Sequence, residues 1–514
     1  MTEKLDHREQ KVRCLATGRR SAFLTVGKTY VAIADEDAAS HGLIRVIDES
    51  GEDYLYPAEY FVPVALEETA GASPYSDLAR VYHSSLWGMR DKKYSQLSAT
   101  NVENTNWHAL SPLPALYLFA PRDLTYHTEY VFGWNISLVF SVFGLGVQTS
   151  RDALVIGFSE EELVRRIERF TDPHIGDEVL RSEFFPGKRV RDYLPGDTRQ
   201  WSLSAARKRL CATADWKGSI RPILYRPFDV RYILYTATMV DWPRPEVMGQ
   251  MLRPNVALIG NRQSKESFAV LCASGLTERK IAAVYDASTT FPLYLYSDDL
   301  FSSAEGRRRP NLTPEFIADF SSRIGMEFIP DGIGDRVTTF GPEDVFYYMY
   351  AVFHSPVYRE RYAEFLKIDF PRLPLTTNVE LFRELCALGV ELAGLHRMEK
   401  HAPLITRYPV PGDNTLDASR YTAPDQGAVE GRVWINATQY FEGVPPEVWE
   451  FRIGGYQVAD KWLKDRKGRR LTYDDLTHYQ RTLAALRRTM ELMDMVEEAI
   501  ERHGGWPLAG SARG

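Results

Sequence analysis

The sequence has no apolar run near the roughly 20 residues that cross a bilayer. Its opening stretch, MTEKLDHREQ, is charged where a signal peptide would be apolar, so a cytoplasmic protein with no membrane contact is expected. Cysteine is scarce. Cys14, Cys211, Cys272 and Cys386 stand alone without CxxC spacing, which removes a disulfide framework and a zinc site and leaves reduced, buried thiols. A phosphate loop is also missing: Val26-Gly27-Lys28-Thr29 has Ala22, not glycine, at the upstream position the motif needs, and Asp35-Glu36-Asp37 has no such loop to serve. Positive charge is not in excess. The net charge of -7 argues against a free-standing, non-specific nucleic-acid binder and leaves room for a local basic face.

What is present is ordinary for a folded chain of several domains: 514 residues, 44% hydrophobic and 25% charged. The pattern reads as α+β. Residues 11–66 give four short β-like segments between Gly or charged turns, a small SH3-like β-barrel module ending near residue 70. Residues 67–76, LEETAGASPY, make a linker. A mixed α/β part over 71–330 and a mainly helical part over 331–514 follow. Within the former, Trp107, Tyr117 and Phe119 alternate with small residues as in a strand. Ser159 with Glu162 forms a helix start whose Leu163, Ile167 and Phe170 share one face. A second helix from Ser202 turns Leu203, Ala206 and Leu210 inward. Thr313 caps a third, with Pro314 at its first position. In the latter part, Pro342–Leu366 is helical in period but broken at Ser355-Pro356, and Asn378–Met398 and Tyr473–Arg502 carry long amphipathic stripes. His354, beside the break and without a second ligand-type neighbour, reads as a packed histidine.

Candidate binding residues lie on loops. ILYRPFDVRYILYT sets Arg226, Asp229 and Arg231 among aromatics, and these arginines either read base edges or pair with Asp229 and neighbouring acids. VALIGNRQS runs a strand into Asn261, Arg262, Gln263 and Ser264, with Lys265 following. Arg, Asn and Gln at strand ends suit base-edge readout, because their side chains make bidentate contacts to guanine and adenine; Arg244, Asn436 and Gln439 join this set by type and loop position. The RRR run at 307–309 reads as solvated or phosphate-contacting. Gly431–Gln480 joins an aromatic strand, a Pro-Pro corner, a Gly-Gly turn and a basic segment. From Lys461 to Arg470 it holds six Lys or Arg against Asp465 alone. Lys461, Lys464, Arg466, Lys467 and Arg469, with Arg226 and Lys265, are the expected phosphate contacts.

Taken together, LYRPFDVRYILY, FPLYLY, RRPNLTPEFI, PEDVFYYMYAVFHSPVYRERYAEFLKIDFPRLPL and the 431–480 run resemble the C-terminal specificity region of type ISP restriction-modification enzymes, over roughly residues 90–502. The resemblance implies a target-recognition role beside a nuclease, a DNA translocase and an adenine-N6 methyltransferase; the first 70 residues fall outside it. The motifs of those activities are missing from this sequence. Phe143-Gly144-Leu145-Gly146 spaces its glycines wrongly for an S-adenosylmethionine loop. Val444-Pro445-Pro446-Glu447 lacks the polar opener and the aromatic of the tetrapeptide that holds a flipped adenine. Glu278-Arg279-Lys280 is a bare Glu-x-Lys with Asp241 as its one conceivable metal-binding partner. The expectation is a specificity component that binds double-stranded DNA, with no cofactor or catalysis of its own, S-adenosylmethionine being bound by a partner methyltransferase/helicase chain. Two alternatives stay open: an adenine-specific DNA methyltransferase with a divergent catalytic site, which would bind S-adenosylmethionine, and a decayed remnant acting as a protein-interaction module.

Overall fold

The computed structural model describes residues 123–187, 193–198, 200–263, 266–297, 308–424 and 430–508, with shorter pieces between 9 and 110. The chain divides into two compact units, Met1–Pro121 and Arg122–Gly514. In the first, β1 (Glu9–Cys14), β2 (Thr29–Ile33), β3 (Leu43–Ile47), β4 (Asp53–Pro57) and β5 (Phe61–Pro63) form an antiparallel sheet in the order β4-β3-β2-β1-β5. Val12, Tyr30, Ala32, Val46 and Phe61 make its small core. No pairing among the described residues closes this five-stranded sheet into a barrel. The expected 67–76 linker lies outside the described residues.

The second unit is mixed α and β. The strands of its two larger sheets are β6 (Gly144–Leu145), β7 (Ile156–Gly157), β8 (Ile220–Arg226), β9 (Asp229–Leu234), β10 (Ala257–Asn261), β11 (Val270–Ala273), β12 (Leu276–Thr277) and β13 (Ser288–Pro292). They build two four-stranded sheets, β7-β9-β8-β12 and β11-β10-β13-β6. On the first sheet pack α1 (Glu160–Thr171) and α2 (Leu203–Cys211), through Leu163, Ile167, Phe170, Leu203, Ala206 and Leu210 as their spacing predicts. Ser159 Oγ accepts from the Glu162 amide at 3.1 Å, an N-cap. Thr313 does not cap by its side chain: its hydroxyl donates to the Leu138 carbonyl at 2.7 Å, a partner far away in sequence, while Pro314 takes the first helical position as expected.

The helical layer follows the periodicity. α3 (Pro342–His354) stops at Ser355, whose side chain caps the next helix through the Tyr358 amide. α4 (Val379–His396) and α5 (Tyr473–Arg502) start at Asn378 and at a Thr472–Asp475 capping box. Every residue of α3 except Glu343 is buried, which explains its all-round apolar character. Gly389 lets α4 approach α3 closely: a Cβ there would lie 2.0 Å from the Tyr347 carbonyl oxygen. One continuous core runs from Tyr130 through the β10–β13 sheet and these helices to Leu508. No helix among the described residues is long and apolar enough to cross a membrane.

Candidate nucleic-acid interface

Backbone pairing brings five distant segments side by side at one edge of the two sheets. Gln148 and Trp242 exchange backbone hydrogen bonds of 3.1 and 2.9 Å. The Arg279 amide donates to the Val147 carbonyl at 3.0 Å, and the Ser288 amide to the Arg279 carbonyl at 2.7 Å. Ser288 is the register partner of Asn261 at the end of β10. Residues 242, 148, 279, 288 and 261 therefore form a row, continued by the exposed Arg262 and Gln263.

The side chains along this row are polar, cationic and aromatic. Arg279 Nη1 donates to Gln148 Oε1. Gln148 Nε2 donates to Ser150 Oγ at 3.2 Å, which donates to Asp241 Oδ2 at 2.8 Å. Trp242 is 47% exposed, with the Arg244 guanidinium 4.8 Å from its ring centroid. Ser150 and Arg244 both have φ near +60°, a left-handed backbone that costs a non-glycine residue about 1–3 kcal/mol and gathers at functional sites. Sequence reasoning missed Gln148, Trp242 and Arg279 as members of this surface. Only the long-range pairing singles them out.

Beneath the row, Arg226 is not a free phosphate contact. Its Nη1 lies 2.5 Å from Glu278 Oε2, its guanidinium stacks 4.1 Å from the Tyr225 ring centroid, and its side chain is 14% exposed. Burial pushes the Glu278 carboxyl up, against the opposing pull of Arg226. Tyr456 joins this pair to the C-terminal basic run: its hydroxyl donates to the Lys280 carbonyl at 2.9 Å and its ring lies 5.8 Å from Lys461 Nζ. The Gly-Gly turn makes that contact possible, because Gly454 has φ +56° and a Cβ there would sit 1.8 Å from the Ala282 carbonyl oxygen.

The basic run divides into buried and exposed members. Arg466, expected on phosphate, is 6% exposed; its Nη2 donates to Asp229 Oδ1 at 2.8 Å and its guanidinium stacks 3.6 Å from the Trp462 ring centroid. Arg231 holds the other oxygen of Asp229 at 2.6 Å and also reaches Asp465 at 2.8 Å. Burial alone would raise the Asp229 carboxyl; Arg466 and Arg231 outweigh it and hold the group below its ordinary value. Arg466 is thus a structural cation. Lys461 pairs with Asp465 and Lys464 with Asp460, both at 2.5 Å, the latter lysine still 66% exposed. Arg469 reaches Glu162 at 2.9 Å with 43% of its side chain exposed, and Lys467 is exposed.

Two expected base readers belong to the support of that run. Gln439 is 1% exposed; its Oε1 accepts from the Asn414 amide at 2.9 Å and its Nε2 donates to Asn414 Oδ1 at 2.8 Å. Asn436 Nδ2 donates to the Thr415 carbonyl at 3.0 Å and its Oδ1 accepts from the Gln439 amide at 2.8 Å. Thr415 in turn bridges Arg470, and the Leu471 amide donates to the Asn414 carbonyl at 2.9 Å. Burial and saturated hydrogen bonding turn these amides inward, so they brace the basic turn from behind. Asn261 is 3% exposed, and its Oδ1 has no hydrogen-bond partner among the described residues. Arg262 is 71% exposed and touches Asp369 at 3.1 Å. Lys265 and Arg307 lie outside the described residues; Arg308 pairs with Asp331 at 2.7 Å. Glu278, engaged by Arg226 and by the Lys280 amide at 2.7 Å, joins no group of three metal-ligand side chains among the described residues.

The edge is polar and arginine-rich and the basic turn is braced from behind; comparison with known proteins gives the family of the chain. The Type ISP C-terminal specificity domain matches residues 138–495, and the chain belongs to that family. Solved structures with the same fold are a nuclease-deletion mutant of the Type ISP restriction-modification enzyme LlaGI in complex with a DNA substrate mimic (20% identity, TM-score 0.56, 82% of this chain and 33% of that one) and a DrdV–DNA complex (20%, 0.57, 80% and 42%). A third is the ATP-dependent Type ISP restriction-modification enzyme LlaBIII bound to DNA (17%, 0.58, 81% and 27%). This chain therefore spans between about a quarter and two fifths of their lengths. No curated protein matches.

Proposed function

We propose that this chain selects the DNA target of a type ISP-like restriction-modification system in the cytoplasm. The observation that carries the reading is the row from Trp242 to Gln263, where Gln148, Arg279, Arg244, Arg262 and Gln263 gather on one edge. These side-chain types pair with base edges in the major groove. Lys464, Lys467 and Arg469 hold the phosphates and give affinity that falls with salt. Membership of the specificity-domain family and the DNA complexes of the structural relatives support this assignment. A methyltransferase/helicase chain then binds S-adenosylmethionine and modifies the adenine at the selected site.

Gel-shift titration against a randomised duplex pool, with and without the methyltransferase supplied, tests the reading. Enrichment of a common sequence that Arg279→Ala or Arg262→Ala relaxes is expected. Absence of duplex binding under both conditions overturns it.

A further inference from the structure

A small chamber lies behind the loop that carries Arg262 and Gln263. Phe268, at the end of that loop, packs against Phe353 and Tyr358 with ring centroids 6.3 and 6.2 Å away, and lies 5.8 Å from the Arg359 guanidinium. The chamber has a volume of about 10 Å³, room for one oxygen-sized atom. His354, His396, Arg359, Arg452 and Thr489 line it with apolar neighbours, and no acidic side chain does.

Arg359 is a cation without a counter-charge. Its hydrogen bond goes from Nε to the Phe353 carbonyl at 2.8 Å, which leaves both Nη groups unused, and it forms no ion pair with any described residue. Burial pushes its pKa down to about 10. The histidines do not neutralise it. The Thr489 hydroxyl donates to the Ala485 carbonyl at 2.8 Å, so His396 Nε2, 2.9 Å away, carries the proton it donates to Thr489. His396 Nδ1 then accepts from the Tyr350 hydroxyl, and the ring is neutral. His354 Nδ1 donates to the Tyr350 carbonyl at 2.7 Å, leaving Nε2 without a partner among the described residues. A water molecule fits the space, but no acidic side chain lines it, so the half-buried Arg359 meets no anion of the protein there.

We propose that the Arg359 chamber is a phosphate seat: one phosphoryl oxygen enters to meet the Arg359 Nη groups, and the exposed Arg452 at the rim holds a second oxygen. The phosphate is either a backbone phosphodiester of bound DNA, which would anchor the base of the Arg262–Gln263 loop, or free inorganic phosphate. Only the first source rests on the DNA-selecting reading. The seat itself does not.

Two measurements on the full chain test it. In thermal melts at constant ionic strength, replacing chloride by inorganic phosphate should raise Tm saturably in the wild type, and the rise should vanish in Arg359→Met and in Arg452→Ala; the latter changes an exposed side chain and keeps the test valid if the former misfolds. In DNA titrations, each variant should lower the log–log salt slope by about 0.9, one phosphate contact. A phosphate-dependent rise in Tm with an unchanged salt slope assigns the seat to free phosphate. If the wild type binds no DNA, the DNA-selecting reading fails and the melts still decide the seat. A wild-type Tm indifferent to phosphate together with variant salt slopes equal to the wild type overturns the proposal.

Discussion

Arg466→Met separates a cation that holds the fold from one that holds DNA. In the wild type its guanidinium donates to Asp229 at 2.8 Å and stacks on Trp462 at 3.6 Å, with 7% of the side chain exposed. Removing one partner of a buried pair costs about 3–5 kcal/mol. Arg231 still neutralises Asp229, which lowers that figure, while the lost stacking on Trp462 adds about 1 kcal/mol. A net cost of about 3–4 kcal/mol is expected, a drop in Tm on the order of 5 °C for a unit of this size. Calorimetry measures it. The salt slope of DNA binding, measured well below the new Tm, should stay at the wild-type value, because the guanidinium of Arg466 is buried against Asp229 and Trp462. An unchanged Tm with a flattened slope would refute the structural role and return Arg466 to the DNA-contacting set.

Reversing Lys464, Lys467 and Arg469 to Glu should do the opposite: the salt slope falls by about 2–3 with little change in Tm, and an unchanged slope removes the basic turn from the interface. Gly454→Ala places a methyl 1.8 Å from the Ala282 carbonyl oxygen at φ +56°, so the 452–457 hairpin must shift. A loss of about 2 kcal/mol or more is expected, readable in urea unfolding, and a neutral result would contradict the close approach. His354 and His396 are held neutral by burial, His396 down to about 3. Above about pH 6.5 they are neutral folded and unfolded. Below it the unfolded chain takes up the extra protons, so stability falls by about 1.4 kcal/mol per pH unit for each histidine. Denaturation at pH 7.5 and 5.5 measures this, and His396→Gln should halve the slope; a stability that rises on acidification would rule it out.

What was legible in the sequence is what depends on neighbours. Helix faces at 160–171, 203–211, 379–396 and 473–502, the break at Ser355-Pro356 and the buried His354 all follow from local periodicity and backbone chemistry. The alternative reading of Arg226 and Arg231 as partners of acids also holds, through Glu278, Asp229 and Asp465. The candidate site was legible only in part. Residue type cannot separate Gln439, saturated by Asn414, from the exposed Gln263, nor Arg466 from Lys467 one position away. The Trp242–Gln148–Arg279 row depends on pairings between segments far apart in the chain, which no local pattern encodes. The same holds for Thr313, whose hydroxyl found a distant carbonyl in place of its own helix end.

The Asp229 junction has a further consequence. One carboxylate clasps Arg231 from the first sheet and Arg466 from the C-terminal basic turn, so the turn is fixed to the sheet as a caliper's jaw is fixed to its beam. Under the proposed DNA-selecting role, replacing Arg262, Gln263 or Arg279 should change the preferred sequence while the salt dependence set by the basic turn stays the same, so that new target preferences arise one side chain at a time without a new fold.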